Sequence, residues 1–411
     1  MKNIFRLIFT FFFMVLGATE SHGEDIIFWH SFTGPVESSL QEAIDGFNQK
    51  TGIRVKAVHM GNYSQLPDMA LNDQNNGPHI VQVAEYQYDR LANQIHAFTP
   101  IDQILPLNMD KLTPYARAFY ERNGRLYGLP LNISTGVMFI NWDKWLKAGL
   151  DKKDVPQTWT QMEQVLGRLQ ESNLGGFSTA WPSAYIFEHF AAQIGTPLLI
   201  NGIFQINTPA FVERLDTFVS MAKKGLYRYG GRFSDAEKLF TSGEVAIFLQ
   251  GANRFGTLSA NFNTQVFPLP FDDSRVTTPY ALNIGGASIW VKAGLTETQT
   301  SSIRSFLQYL LEPTFQENWF LKTNYLPLTN EALQRITKSS SSLVAAGYQG
   351  ILQVNTSRTV ASNGVQHPKF YQIRTMIIEA IEEALSGQST AQEALDKAQQ
   401  KIQEKLAQVP G

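Results

Sequence analysis

The stretch "DIIFWHSFTGPVESSLQEAIDGFNQKTGIRVKAVHM", residues 25–60, holds three elements in a fixed order. "DIIFW" (Asp25–Trp29) is an apolar strand. After the turn at "TGP", Val36, Leu40, Ile44 and Phe47 recur at steps of four, four and three, which places them on one stripe of a helix. Beyond it, Ile53, Val55 and Ala57 alternate with Arg54 and Lys56, the period of a strand. Strand, helix and strand at this spacing form a βαβ unit, so the two strands run parallel with a right-handed crossover. "PHIVQV" (Pro78–Val83) adds a third strand after a helix near residues 64–73. In open α/β sheets, ligands sit beyond the carboxyl ends of the strands. Three such ends deliver Trp29, Tyr63 and Glu85 to one edge. A single acid on a loop reads as a solvated residue; three polar or aromatic groups at neighbouring strand ends read as a pocket.

Outward from this unit, the alternation of strands and helices continues. "GRLYGLPLNISTGVMFIN" (Gly124–Asn141) is broken at Gly128 and Pro130 and resumes as a strand at Val137–Ile140, a crossing from one lobe to another. Helices are expected near 158–171 and 208–224, a buried strand at Val245–Leu249 ending in Gly251, and a strand in "NIGGASIWVK" preceded by two glycines. A long helical tail starts near Phe370. This is the pattern of two α/β lobes with several crossings.

The first 23 residues have a basic start at Lys2 and Arg6, an apolar run from Ile8 to Leu16, and small residues Ser21 and Gly23. They read as a secretory signal cleaved after Gly23. The run is short for a membrane span, and no later stretch is long and apolar enough to make one. The chain of 411 residues contains no cysteine. A core of this size does without disulfides, and the missing thiol removes the acceptor for a lipid anchor. A periplasmic location, without an anchor, follows as the expectation. Removing Lys2, Arg6 and Glu20 leaves 32 basic and 35 acidic residues, a balance that argues against nonspecific nucleic-acid binding.

"IIFWHSFTGP", "GNYSQ", "VQVAEY", "IGGASIWV", "KTNYLPLT" and "QIR" occur in one order over nearly the whole chain. In this set the chain resembles the periplasmic sn-glycerol-3-phosphate-binding proteins of ABC importers, a branch of the extracellular solute-binding proteins. The resemblance implies a two-lobed periplasmic-binding-protein fold of type II that closes on a ligand. Lobe 1 would span 24–132 with roughly 285–325 returning to it. Lobe 2 would span 133–284, with roughly 326–411 contributing the C-terminal helices. It implies a glycerol phosphate ligand, inner-membrane ABC permease subunits as partners, a monomer, and no cofactor or metal. Residue by residue it carries ligand contacts onto Tyr63, Glu85, Ser134, Trp181, Gly251, Gly286, Tyr325 and Arg374. At Gly251 the family has a serine. Either the Gly251 N–H suffices, or Asn253 or Arg254 compensates, or the ligand differs.

The chemistry of these residues bears on their roles. Arg374 falls inside the apolar stripe of Phe370, Ile373, Ile377, Ile378, Ile381 and Leu385, away from Glu379, Glu382 and Glu383, so no acid one turn along its own helix pairs with it. It is either a snorkelling arginine or a planar fork for phosphate. Glu85, an acceptor when ionised, suits glycerol hydroxyls and repels phosphate. The expected direction is glycerol toward Glu85 and phosphate toward Arg374. Tyr63, Tyr325, Ser134 and the Gly286 N–H are compact donors or, alternatively, core and bend residues. Trp181 stacks on the ligand, faces a choline, or packs in the core. A phosphodiesterase is disfavoured, since the sequence carries no "HExxH", "GxSxG" or "GxxxxGK[ST]" motif. A receptor for a neutral sugar stays open.

Overall fold

A computed structural model describes residues 25–73, 77–94, 96–339 and 345–407. The signal-peptide reading of residues 1–23 lies outside the described residues. In chain order the elements that position the site are β1 (Ile26–His30), α1 (Gly34–Thr51), β2 (Val55–His59), β3 (Ile80–Ala84), β4 (Phe98–Thr99), β5 (Leu129–Ser134) and β6 (Gly136–Asn141). They continue with β7 (Phe177–Thr179), α2 (Pro209–Lys223), β8 (Ile247–Gly251), β9 (Thr264–Phe267) and β10 (Gly285–Lys292). Last come α3 (Pro313–Thr323), α4 (Asn330–Lys338), α5 (Ala346–Val354), α6 (Phe370–Leu385) and α7 (Ala391–Ala407).

The βαβ expectation is met. β1 pairs parallel with β2, Ile26 opposite Val55 through His30 opposite His59, and β3 pairs parallel with β1 on its other side. The stripe Val36, Leu40, Ile44 and Phe47 is the buried face of α1, whose chain reverses at Gly52 in the left-handed region. β10 then runs antiparallel to β3, β4 and β5, completing a first sheet ordered β2-β1-β3-β10-β4 with β5 also on β10. The second sheet is ordered β9-β6-β8-β7. Only Thr135 separates β5 in the first sheet from β6 in the second, so the crossing inferred from "NISTG" is a single residue long. Both strands are buried along their whole length, including the polar residues Asn132, Ser134 and Asn141. Among the described residues no helix is long and apolar enough to cross a membrane.

Three local expectations change. The glycines of "IGG" do not precede the strand; Gly285 and Gly286 are its first two residues. Gly286 has φ +121°, and a Cβ there would sit 1.8 Å from the Asn132 carbonyl oxygen. The side-chain-free backbone is what lets β10 close onto β5. The tail from Phe370 is two helices, α6 and α7, separated by a reversal at Gly387 (φ +76°). Trp29 is not at a strand end facing a pocket. It lies within β1 and is buried in the core, while the loop Ser31–Thr33 takes the position facing the cavity.

The C-terminal helices connect the halves. α3 packs on α1, and α4 on α3. α5 packs on β6 and β9 of the second sheet, and α6 packs between α2 and α7. The start of α6 also touches the turn Glu85–Gln87 that follows β3. That contact brings Arg374 to Glu85.

Candidate functional site

The two sheets face a cavity of about 440 Å³. Tyr63, Glu85, Ser134, Trp181, Gly251, Gly286, Tyr325 and Arg374 all line it. They come from strand ends and loops of both sheets and from α6, as the strand-end argument requires for Tyr63 and Glu85 and the motif order for the rest.

Arg374 is 7% exposed within the buried face of α6. Its guanidinium does not sit opposite Glu85 across the cavity. Nη1 donates to Glu85 Oε1 at 3.1 Å, and Nε donates to Glu188 Oε1 at 2.8 Å and to Ser183 Oγ at 3.2 Å. The expected separation of a phosphate pole at Arg374 from a hydroxyl pole at Glu85 is therefore corrected: the two groups form one ion pair. The reason is desolvation. A guanidinium enclosed in apolar surroundings needs counter-charge. Its own helix offers none, so two acids from elsewhere in the chain supply it. Burial alone would lower the Arg374 pKa, but Glu188 and Glu85 hold it above its usual value. Burial raises the Glu85 carboxyl, against the pull of Arg374. Two carboxylates against one guanidinium leave this cluster one negative charge in excess. The guanidinium carbon also lies 5.2 Å from the Tyr86 ring centre and 5.5 Å from that of Trp181, so two aromatic faces hold it in place.

Glu188 was not anticipated. Its signal is an acid within "SAYIFEHF", where Ala184 to Phe187 and Phe190 are all buried. A π-helical turn over Ala184–Glu188 aims the carboxylate at Arg374. The logic that singled out Glu85, an acid inside an apolar run, applies equally here.

A second, neutral group lines another part of the cavity. Ser134 Oγ donates to Asn253 Oδ1 at 3.1 Å, and Asn253 Nδ2 donates to the Tyr325 hydroxyl at 3.2 Å. This bears on the departure at Gly251. A Cβ at Gly251 would fall 2.6 Å from Asn253 Oδ1, so Asn253 fills the space a longer side chain would need. The Gly251 N–H donates to Gln250 Oε1 at 2.8 Å. Arg254 is held by a two-pronged pair with Glu237, at 2.8 and 2.7 Å. Asn253 is thus bonded to two other cavity residues, Ser134 and Tyr325, while the Gly251 N–H and the Arg254 guanidinium are taken by Gln250 and Glu237. Gly286 joins Tyr63 to the ionic cluster: its N–H donates to Glu85 Oε2 at 3.2 Å and its carbonyl accepts from the Tyr63 hydroxyl.

Trp181 is half-buried and adopts φ +46°; Phe233, 43% exposed, adopts φ +53°. Their rings meet edge to face at 4.7 Å and the Trp181 N–H donates to the Phe233 carbonyl at 2.8 Å. Two aromatic residues in the left-handed region, bonded to each other at a cavity wall, are the kind of strain that accompanies a ligand clamp. Phe233 carries no sequence signal, because φ is set by the turn and not by the side chain.

His189 is buried beside this cluster, with Nδ1 2.8 Å from Asn283 Oδ1. Burial lowers its pKa from 6.5 to about 4, although the bond to Asn283 works the other way. The unfolded chain thus binds the proton more readily. Stability from this group is complete above pH 6.5 and is lost as pH falls toward 4. That loss amounts to about 3 kcal/mol at pH 4. Glu85 has the opposite sign, since its raised carboxyl is relieved by acid. His189→Gln is expected to remove the histidine part: denaturant unfolding across this pH interval should fall less steeply in the variant than in the parent. Parallel curves would show that the imidazole is not held neutral.

The model for the family of bacterial extracellular solute-binding proteins matches residues 42–346, well over half of the chain. Among curated proteins, the sn-glycerol-3-phosphate-binding periplasmic protein UgpB of Pectobacterium atrosepticum is 29% identical, over 94% of this chain and 92% of that protein. UgpB of Brucella abortus is 28% identical over 94% of each. Among solved structures, UgpB from Mycobacterium tuberculosis in complex with glycerophosphocholine is similar with a TM-score of 0.77 at 20% identity, over 93% of this chain and 98% of that one. The GacH receptor of Streptomyces glaucescens, solved with acarbose, is similar with a TM-score of 0.77 at 17% identity, over 94% and 99%. The shared architecture is that of two-lobed periplasmic solute-binding proteins.

Proposed function

This chain belongs to the family of bacterial extracellular solute-binding proteins, and on that premise we propose that it captures sn-glycerol-3-phosphate or a glycerophosphodiester such as glycerophosphocholine and delivers it to an inner-membrane ABC permease. The family consists of binding proteins and not enzymes. In this reading the signal is cleaved after Gly23 and the mature protein works in the periplasm as a monomer without a lipid anchor. The first lobe is built on the β1–β5 and β10 sheet and keeps α3 and, because it packs on α3, α4 as well. The second is built on the β6–β9 sheet with α5 to α7. Tyr63, Glu85, Ser134, Trp181, Gly251, Gly286, Tyr325 and Arg374 wall the ligand, joined by Glu188 and Asn253.

The observation that carries the proposal is the division of the cavity lining into an ionic cluster, Glu85–Arg374–Glu188, and a neutral group, Ser134–Asn253–Tyr325. It supports a revised direction for the ligand. Phosphate is repelled by two carboxylates and goes to the neutral hydroxyl and amide donors. Glycerol hydroxyls both donate and accept, so they exchange bonds with the Glu85–Arg374 pair without changing its charge. The excess negative charge favours a phosphodiester monoanion carrying a quaternary ammonium over a phosphate dianion, and Trp181, Tyr86 and Phe233 offer it aromatic faces.

The names of the UgpB relatives support a glycerol phosphate. A neutral sugar is the second reading, and one observation favours it: both cavity arginines, Arg374 and Arg254, are already paired with carboxylates. Titration calorimetry of the mature protein against glycerophosphocholine, sn-glycerol-3-phosphate and maltose separates the two. Tightest binding is expected for glycerophosphocholine. Heat from maltose alone would replace the first reading with the second.

A further inference from the structure

At the carboxyl ends of β1 and β2, outside the solute cavity, three residues with metal-ligand chemistry converge. His30 and His59 end these strands opposite each other in register, and their rings lie edge to face with centres 5.8 Å apart. Glu37, in the first turn of α1, reaches the same point; its Oε1 lies 3.8 Å from His59 Nδ1. One ligand atom from each of His30, Glu37 and His59 fits within 4.8 Å of the others. No other group of three His, Cys, Asp or Glu among the described residues meets this condition. None of the three lines the cavity, and nothing in the solute-binding reading uses them.

We propose that His30, Glu37 and His59 bind one divalent late first-row transition-metal ion, of which Zn²⁺ is the representative. The donor set argues for this class. Two imidazoles and a carboxylate suit zinc and its neighbours, whereas magnesium and calcium take oxygen ligands. The spacing agrees. Ligand atoms held about 2.0–2.1 Å from a tetrahedral zinc lie about 3.3 Å from one another. Glu37 Oε1 lies 3.8 Å from His59 Nδ1, close to that value, and ligation through Nδ1 gives up the hydrogen bond this nitrogen donates to the Phe32 carbonyl oxygen at 2.9 Å. Ligation by His30 through Nδ1 exchanges the 3.2 Å contact from the Phe32 N–H for a metal bond. The environment is graded: His30 is 2% exposed and fixed in the core, Glu37 is half-buried, and His59 is exposed. One side of the site is rigid and the other is open for the ion to enter.

The site would also brace the cleft. Ser31, Phe32 and Thr33 line the solute cavity, and they connect His30 to the helix that carries Glu37. An ion there ties this loop to the end of β2.

The test uses mature protein without a histidine tag, stripped with chelator and dialysed against Zn²⁺, followed by metal analysis and thermal unfolding. About one equivalent should be retained and the melting temperature should rise by ligand linkage. His59→Ala should lose the ion, and Glu37→Gln should weaken it by about tenfold or more. His96→Ala, at an exposed position outside the cluster, should retain it. Glu37→Gln is isosteric at a half-buried position in the first turn of α1 and leaves the fold intact, so it decides the matter if His59→Ala fails to fold. No zinc on the parent protein, or an undiminished equivalent on Glu37→Gln, overturns the site.

Discussion

Arg374→Ala is expected to abolish solute binding and to destabilise the folded protein by about 3–5 kcal/mol, the usual cost of removing one partner of a buried ion pair. Here the cost falls at the upper end, because the arginine serves two acids. Glu85 and Glu188, with side chains 11% and 8% exposed, would be left facing each other without a cation. Desolvation and mutual repulsion would then push both carboxyls up, and one of them would take a proton. This sets the pH signature. An acid with a raised folded pKa stabilises the folded state below that pKa and loses the contribution as pH rises through it. The variant should therefore recover stability on going from pH 7 to pH 5, and adding Glu188→Gln should recover part of the loss at pH 7. Arg374→Lys should fall between, since a single ammonium cannot present the planar fork that reaches Glu85 with Nη1 and Glu188 with Nε. Denaturant unfolding at the two pH values, with calorimetry of glycerophosphocholine, gives the answer. A loss below about 1 kcal/mol, the scale of an exposed pair, with binding retained would mean that the cluster is dispensable.

The same cluster marks where sequence reasoning stopped. The inward direction of Arg374 was legible, because helical geometry fixes which face a residue takes, and α6 buries that face. The convergence of Tyr63 and Glu85 was legible too, because parallel strands send their carboxyl ends to one edge; Trp29, expected with them, lies in the core instead. The partners of Arg374 were not. Glu85 and Glu188 lie 289 and 186 positions away, and a periodicity argument sees only one element at a time. The polarity of the cleft is hidden for the same reason: which charge neutralises which is decided by contacts between elements far apart in the chain. Gly285 and Gly286 pose a different case. The pair reads either as a backbone donor or as a bend, and only the approach of β5 reveals that Gly286 is also a condition for strand pairing.

Gly286→Ala turns that last point into a measurement, and Gly285→Ala is its internal control. The two glycines are adjacent and lie in the same strand, but differ in surroundings and in backbone conformation. A Cβ at Gly285 has Glu85 Oε1 as its nearest atom at 3.8 Å, an ordinary contact. A Cβ at Gly286 would lie 1.8 Å from the Asn132 carbonyl oxygen, and its backbone is at φ +121°, where L side chains are strained. The neighbour is backbone, so no rotamer change relieves the overlap; β10 must move away from β5. That movement also breaks the bonds that Gly286 gives to Glu85 and takes from Tyr63, each contributing about 1 kcal/mol. Strain of about 1–3 kcal/mol adds to this. Gly286→Ala should thus lose about 3–5 kcal/mol, the sum of these contributions, and should lose solute binding with it, because the edge of the cleft is the segment displaced. Gly285→Ala should stay within about 1 kcal/mol of the parent and keep its ligand. Equal losses at both positions would mean that strand β10 tolerates no side chain at all at its start, and that the close approach to Asn132 is not what shapes the cleft.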